Sequence, residues 1–167
     1  MSPTTLSYNE LKEELIKEIQ KHQHGVLATS DGNSVTAREM MILVDGLTIF
    51  CFTASHTRKY KQMQVNKNVA FSINNLQIEG TVTLRGHPSN KGNAGFLKMF
   101  EETYPKSYEF WGPICTNPES NFQLIEISPM KITAYKSADG NTFLDILNLI
   151  TETATRAYLD DIDYERY

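Results

Sequence analysis

Cysteine is scarce in this sequence. Only Cys51 and Cys115 occur among its 167 residues, and neither belongs to a C-x-x-C pair. A disulfide framework is therefore not expected, and no Cys/His cluster has the spacing of a zinc site. Cys51 lies in the apolar run 47–52, so we expect its thiol to be buried as a small hydrophobic group.

Long apolar segments are also missing. No stretch approaches the ~20 apolar residues that a membrane span requires. Residues 1–5 have neither the basic nor the apolar region of a secretion signal. We therefore expect a cytoplasmic protein that does not bind membranes.

The chain has no excess of positive charge. Its formal net charge is −4, so it lacks the overall electrostatic footprint of a nucleic-acid-binding protein. The segment 58–67 is a short basic exception, and the acidic balance of the chain argues against DNA or RNA binding there. Hydrophobic residues make up 40% and charged residues 22%, as in an ordinary globular protein. The length fits one domain, residues 1–167.

Hydrophobic periodicity in the first half predicts a helix followed by short strands. Apolar residues at helical spacing indicate an amphipathic helix over 6–23, with Ser7 as its N-cap. Turn signals at Asp31-Gly32-Asn33 and Asp45-Gly46 predict that the next three strands form a meander. The expected strands are 25–30, 34–43, 47–53, 69–73 and 77–86, with a short helix at 56–65.

The second half gives a less regular pattern. We predict a helix over 90–104, then a loop because Gly112-Pro113 and Asn117-Pro118 are typical breakers. Strands at 122–127 and 131–135 follow, joined through Ser128-Pro129. The segment 143–160 fits either a helix or a strand at 143–149 with an irregular tail.

Six or more short strands with few helices favour a mainly β fold. Within one domain, this pattern is typical of a β-barrel with flanking helices.

One segment has the composition of an anion site. Residues 53–61 run from the end of a predicted strand into a predicted helix. They carry hydroxyl groups at Thr53, Ser55 and Thr57, followed by the cations Arg58 and Lys59. A helix N-terminus offers free N–H groups and a positive dipole end, and basic side chains add charge-assisted bonds to phosphate oxygens. The alternative is an ordinary helix cap followed by a solvated basic face.

Arg38 favours the anion site. It lies mid-strand between apolar neighbours, where an unpaired charge is costly to bury. It therefore faces water, pairs with a carboxylate such as Glu39 or Glu79, or binds an anion. If the strands joined by Asp45-Gly46 form a hairpin, Arg38 falls roughly opposite Thr53 and beside the proposed anion site.

Taken in order, these segments resemble the FMN-binding split barrels related to pyridoxamine 5′-phosphate oxidase, in particular the short general stress proteins. The resemblance covers roughly residues 8–137 and leaves the structure of 138–167 open. It implies antiparallel, Greek-key-like strands. The matching pieces are 25–29, 38–40, 47–53, 55–59, 66–71, 80–86 and 124–129.

The resemblance also implies a homodimer with two FMN molecules at the subunit interface. Arg38 would contact the phosphate, and the 39–43 backbone would line the isoalloxazine. Trp111 would come from a loop that reaches the partner's flavin; the alternative is packing in the core or the interface. The residues implied to bind FMN are Arg38, Glu39, Met40, Met41, Phe52, Thr53, Ser55, Thr57, Arg58, Lys59, Thr81 and Trp111, with Glu79 an alternative to Thr81 near the ring.

Two departures narrow the expected function. True pyridoxamine-phosphate oxidases carry a basic and aromatic C-terminal segment that binds the substrate phosphate, whereas residues 160–165 here are mostly acidic. The family's usual Asn-Pro before the fourth strand is Lys67-Asn68. We therefore expect a protein that is not itself a pyridoxamine-phosphate oxidase.

The functional prediction is an FMN-dependent oxidoreductase, or flavin-binding protein, that meets a small-molecule substrate or electron donor. The flavin would supply the redox chemistry, so no catalytic side chain is assigned. Two alternatives stay open. One is a deazaflavin- or haem-binding member of the same fold, and the other is a ligand-binding or regulatory module without turnover.

Overall fold

The structure is a computed structural model and describes residues 3–158. Four α-helices and one short 3-10 helix flank an antiparallel sheet. The helices are α1 (Tyr8–Ile19), α2 (Arg58–Val65), α3 (Ala94–Thr103) and α4 (Pro105–Thr116), with the 3-10 turn at Lys91–Asn93. The strands are β1 (Thr4–Thr5), β2 (His24–Ser30), β3 (Val35–Met41), β4 (Leu43–Asp45), β5 (Thr48–Ala54), β6 (Asn68–Ile73), β7 (Leu76–Gly86), β8 (Phe122–Ala138), β9 (Asn141–Asn148) and β10 (Thr153–Tyr158).

The strands close into a barrel through β3 and β4. The hydrogen-bonded order runs β3-β2-β6-β7-β8-β5, and β5 pairs with β4, which directly continues β3. Every one of these pairs is antiparallel. The predicted mainly β barrel with flanking helices is thus confirmed.

Strand β8 pairs with different strands along its length. Its first half pairs with β5 and its second half with β9, while β7 runs along most of its length. The register with β7 shifts at Glu79/Gly80. A Cβ on Gly80 would lie 2.6 Å from the Ser128 carbonyl oxygen, so glycine permits this close approach. The two late strands expected around Ser128-Pro129 are therefore one continuous strand.

The predicted three-stranded meander is wrong in one respect. The run 34–43 breaks at Ile42, whose N–H donates to the Gln23 carbonyl at 2.9 Å. Before the break β3 pairs with β2, and after it β4 pairs with β5. The first half therefore contains two hairpins, and β3 does not pair with β5.

Two other segments differ from the sequence-based prediction. The expected breaker-rich loop contains α4, which begins with Pro105 and includes Pro113. A proline at the first helical turn removes no helical hydrogen bond, so Pro105 suits this start. The segment 143–160 is not a helix: β9 is followed by a second strand, β10, in place of an irregular tail. Positions 159 and 160 lie outside the described residues.

The barrel interior holds the main core, and α1 closes one end of it. Leu11, Leu15 and Ile19 of α1 are buried against the barrel. Ser7 caps the helix as predicted, accepting from the Glu10 N–H at 3.4 Å. A second core cluster packs α3 against the ends of β4 and β8, through Leu43, Phe96, Phe100 and Leu124. Within residues 3–158, no helix is long and apolar enough to cross a bilayer.

Candidate functional site

A cleft of about 620 Å³ opens where β3 and β5 end beside α2 and α4. This volume lies in the range of small-molecule and cofactor sites, about 300–1,000 Å³. Strand ends, one helix start and one helix face thus converge on a single cavity. Its walls are Gln23, His24, Glu39, Met40, Met41, Phe52, Thr53, Ala54, Lys59, Ser107, Trp111 and Phe122.

Aromatic side chains form one wall of the cleft. The Phe52 ring lies 5.7 Å from Trp111 and 5.6 Å from Phe122, both in inclined geometries. Trp111 and Phe122 lie 6.0 Å apart. Such rings provide a large apolar surface with few rotatable bonds, so this wall suits a flat, partly apolar ligand.

Arg38 reaches from β3 toward the interior face of β2. Its Nη1 donates to the Leu27 carbonyl at 2.9 Å and to Thr29 Oγ1 at 2.8 Å. Its Nη2 donates to Thr36 Oγ1. All three acceptors are neutral oxygens, so the guanidinium is held in place but its charge is not neutralised.

Two further cations lie near Arg38. Burial and the positive charge of Arg58 lower the pKa of Arg38, and burial and the charge of Arg38 lower the pKa of Lys59. In the part of the chain that the structure describes, no carboxylate oxygen lies within 4.0 Å of these three cations. An anion bound here would relieve a repulsion that the protein itself leaves uncompensated.

The N-terminus of α2 completes the positive side of the cleft. Thr57 is the N-cap, but its hydroxyl donates to the Ala54 carbonyl at 2.8 Å and caps no helical N–H. The same hydroxyl lies 3.2 Å from Thr53 Oγ1. Because the cap side chain is engaged elsewhere, the first N–H groups of α2 are available to an acceptor from outside the helix.

The structure brings most of the predicted site residues together. Glu39, Met40, Met41, Phe52, Thr53, Lys59 and Trp111 line the cleft. Thr57 contacts Thr53, and the charges of Arg38 and Arg58 act on the same cluster.

Five of the predicted residues do not line the cleft: Arg38, Ser55, Thr57, Arg58 and Thr81. The Ser55 N–H donates to the Asn121 carbonyl at 2.8 Å, which ties the start of the 55–57 turn to the segment before β8. Thr81 lies on β7 opposite Asn68 and Ser128. Its alternative, Glu79, forms an ion pair with Lys131 at 3.3 Å.

The predicted pairing of Arg38 with Thr53 is wrong. Arg38 lies opposite Leu27, and Thr53 lies opposite Gln123, because the chain changes partner at Ile42. The three cations nevertheless lie near one another, since α2, which carries Arg58 and Lys59, contacts the strand that carries Arg38.

The profile of the family described as pyridoxamine 5′-phosphate oxidase matches residues 11–136, well over half of the chain. The chain belongs to the pyridoxamine 5′-phosphate oxidase family. No curated protein sequence gives a match.

Solved structures with the same split-barrel fold are similar to this chain. General stress protein 26 from Bacillus anthracis is 22% identical, with 74% of this chain and 92% of that chain aligned and a TM-score of 0.54. A pyridoxamine 5′-phosphate oxidase-related, FMN-binding protein from Nostoc punctiforme is 15% identical, with 91% and 92% aligned and a TM-score of 0.54. The haem storage protein HutZ from Vibrio cholerae is 14% identical, with 71% and 89% aligned and a TM-score of 0.58.

Four residues of the cleft in this family member lie outside the predicted site: Gln23, His24, Ser107 and Phe122. Gln23 Nε2 donates to Ser107 Oγ at 3.3 Å and so joins α4 to the start of β2. Ser107 was missed because its helix was expected to be a loop. Gln23 and His24 are polar residues that lie just before an apolar strand. This polarity was the signal in the sequence that could have identified Gln23 as a site residue.

Proposed function

We propose that this protein binds FMN in the cleft between β3, β5, α2 and α4, with the phosphate held by Arg38, Lys59 and the N-terminus of α2. The observation that carries the proposal is the cluster of Arg38, Arg58 and Lys59 beside an aromatic-walled cavity, with neutral acceptors around Arg38. A ligand with a flat ring system and a terminal phosphate matches both halves of this arrangement.

Separate residues would bind the phosphate and the ring system of FMN. Arg38 and Lys59 would provide charge-assisted hydrogen bonds to the phosphate, and Thr53 and Thr57 would fix the turn that precedes Lys59. Phe52 and Trp111 would pack against the ring system. The bound flavin would supply hydride or electron transfer, while the protein excludes water and orients the ring.

The visible spectrum of the natively purified protein tests this proposal. We expect a flavin absorption spectrum, or uptake of added FMN by the colourless protein. Trp111 is the sole tryptophan of the chain and lines the cleft, so FMN binding should quench its fluorescence. A colourless protein whose Trp111 emission does not respond to FMN would argue decisively against the proposal.

Haem is the second candidate ligand, and one observation favours it. His24 lines the cleft and is exposed, so an imidazole is available to a metalloporphyrin there. The guanidinium of Arg38, which has only neutral acceptors around it, would equally donate to a haem propionate. A Soret band that disappears in His24→Ala would support haem, whereas a flavin spectrum unaffected by His24→Ala supports FMN.

A homodimer is part of the proposal. Outside the barrel, the sheet formed by β2, β3 and β6 exposes Val26 and Val35 at 41% and 72% of their surface, next to the small residues Ala28 and Ala70. This face also carries Glu39 opposite Val26 and Glu79 opposite Ala70, and its exposed apolar positions would suit contact with a second copy of the chain. Sedimentation equilibrium of the wild type and of Val35→Lys tests this, because we expect a dimer that the lysine weakens.

Turnover is proposed separately from binding. An oxidoreductase needs an electron donor that reaches the flavin, and the open side of the cleft near Gln23, His24 and Ser107 would admit one. Anaerobic mixing of the FMN-loaded protein with NADH or NADPH should bleach the flavin absorption. Persistence of the oxidised spectrum with both donors favours a binding or regulatory role.

A further inference from the structure

Gln62 is a buried polar residue of α2 whose amide oxygen and amide nitrogen both form hydrogen bonds. It is 2% exposed. Its Oε1 accepts hydrogen bonds from Thr29 Oγ1 and from Thr36 Oγ1, each at 2.7 Å. Its Nε2 donates to the Ser34 carbonyl at 3.1 Å. These two threonines are the same residues that accept hydrogen bonds from Arg38.

The amide of Gln62 determines which way the two hydroxyls point. A carbonyl can only accept, so the Ser34 carbonyl orients the amide with its nitrogen outward and its oxygen toward the threonines. Each threonine hydroxyl has one proton, and it donates that proton in its hydrogen bond to Gln62 Oε1. Lone pairs of Thr29 and Thr36 therefore face Arg38, where they accept from the guanidinium.

The hydrogen bonds that run from Gln62 through Thr29 and Thr36 to Arg38 form a relay. This relay holds Arg38 in place without neutralising its charge. A carboxylate in the place of the amide would also accept from both threonines, but it would add a negative charge one hydroxyl away from the guanidinium. Such a charge would compete with an external anion for Arg38. A neutral amide supplies the same geometry and preserves the positive charge of the cluster.

The relay also joins Arg38 to the helix that carries the other cations. Gln62, Arg58 and Lys59 all belong to α2, and Arg58 Nη2 donates to Ser34 Oγ at 2.9 Å. Ser34 thus contacts α2 through its carbonyl and its hydroxyl. The turn between β2 and β3 and the first turns of α2 are consequently fixed relative to each other.

We infer that Gln62 is a positioning residue for the phosphate site, which aligns Arg38 through Thr29 and Thr36 and keeps the site cationic. This inference rests on the proposed function, because the phosphate is that of the proposed FMN. Gln62 is not among the residues that line the cleft, so its effect on a ligand would be exerted through Arg38.

FMN and riboflavin are the probes that test this role, because riboflavin lacks the phosphate. In Gln62→Met the hydroxyls lose their common acceptor, and we expect FMN affinity to fall about tenfold or more while riboflavin affinity changes less than about twofold. Gln62→Glu should also lower FMN affinity and should reduce its dependence on salt concentration, since the net positive charge of the site falls. Gln64→Met is the matched control, because Gln64 is exposed on the same helix.

The outcomes separate the two claims. A wild type that binds FMN, with a Gln62→Met variant of unchanged preference for FMN over riboflavin, overturns the positioning role alone. A wild type that binds neither FMN nor riboflavin overturns the proposed function and this inference with it. If Gln62→Met does not fold, Thr36→Val removes one arm of the relay at a half-buried position, and its FMN preference must fall for the inference to stand.

Discussion

Arg38 on β3 acts on Lys59 on α2: its charge, added to burial, lowers the pKa of the lysine. Lys59 lines the aromatic-walled cleft, and the charge of Arg38 acts on it from a separate element. Repulsion of this kind weakens the folded protein unless an anion compensates it. The arrangement is one expected of a site built for a ligand that brings its own negative charge.

The first prediction concerns the pH dependence of FMN binding. Lys59 loses its proton at a lower pH than an ordinary lysine, and a bound phosphate favours the protonated form. FMN affinity should therefore fall as the pH rises through the lowered pKa of Lys59. FMN dissociation constants measured across the alkaline range check this. Lys59→Arg should bind with a flat profile over the same range, and identical profiles for the two proteins would refute the assignment.

The second prediction concerns loss of the cations themselves. Arg38→Ala and Lys59→Ala should each weaken FMN binding by about 1.5–3 kcal/mol, the contribution of a charge-assisted hydrogen bond. That corresponds to roughly a tenfold to hundredfold rise in Kd. Lys61→Ala is the control, because Lys61 is exposed on the same helix. An equal loss of FMN affinity in Lys61→Ala and in the two test variants would mean that FMN responds only to the overall positive charge of this region and not to specific hydrogen bonds.

The third prediction concerns the buried carboxylate of β9. Asp145 is 1% exposed, and it accepts from Arg156 at 2.7 and 2.8 Å and from Lys136 at 2.8 Å. Asp145→Asn should destabilise the protein by about 3 kcal/mol, since Arg156 loses its charged partner and Lys136 keeps only the more exposed Glu14. Urea denaturation measures this. Glu79→Gln, which breaks a more exposed pair with Lys131, should cost less than about 1 kcal/mol.

The same carboxylate gives a signed pH dependence of stability. Burial opposes ionisation of Asp145, but hydrogen bonds from Arg156 and Lys136 outweigh it and lower its pKa. A carboxyl whose pKa is lowered on folding stabilises the protein above the unfolded pKa, near 3.9, and this stabilisation is lost as the pH falls through the folded value. The stability difference between wild type and Asp145→Asn should therefore shrink in acid. A constant difference down to the lowest pH at which both fold would contradict this.

The fourth prediction concerns the cysteines. Burial raises the pKa of Cys51 to about 12 and that of Cys115 to about 11, and both residues are 0% exposed. The thiolate is the reactive form, so neither should react with a thiol reagent at neutral pH in the native protein. Both should react once denaturant is added. Rapid labelling of one thiol in the folded state would show that its surroundings open.

Local sequence signals were sufficient for the strands that end in tight turns. Asp31-Gly32 and Asp45-Gly46 mark the two hairpins, and both glycines adopt positive φ. The break at Ile42 could not be predicted, because that residue is apolar like its neighbours, and the change of pairing from β2 to β5 depends on tertiary structure. The register of Arg38 was therefore misplaced.

The helix α4 shows a different limit. Gly112 and Pro113 were interpreted as breakers, yet α4 extends from Pro105 to Thr116. Gly112 packs against the Tyr108 ring, where a Cβ would approach to 3.0 Å. Packing of the helix against α3 and β5 thus overrides a propensity that acts only locally.

The candidate site, too, could be predicted from the sequence only in part. Residues 53–59 combine a strand end, hydroxyls and cations within one short segment, so the sequence predicts either an anion site or an ordinary helix cap there, and Arg38 favours the anion site. The link from Gln62 through Thr29 and Thr36 to Arg38 joins three elements, and no spacing along the chain indicates it. Relays of this kind depend on strand register and helix placement together.

Paired titrations of the purified protein with FMN and riboflavin, followed by Trp111 fluorescence, test the central claim most directly. Our account predicts saturable binding of FMN with a clear preference over riboflavin, and loss of that preference in Arg38→Ala. Equal affinities for FMN and riboflavin in the wild type, or a preference that survives Arg38→Ala unchanged, would contradict the assignment of the phosphate site.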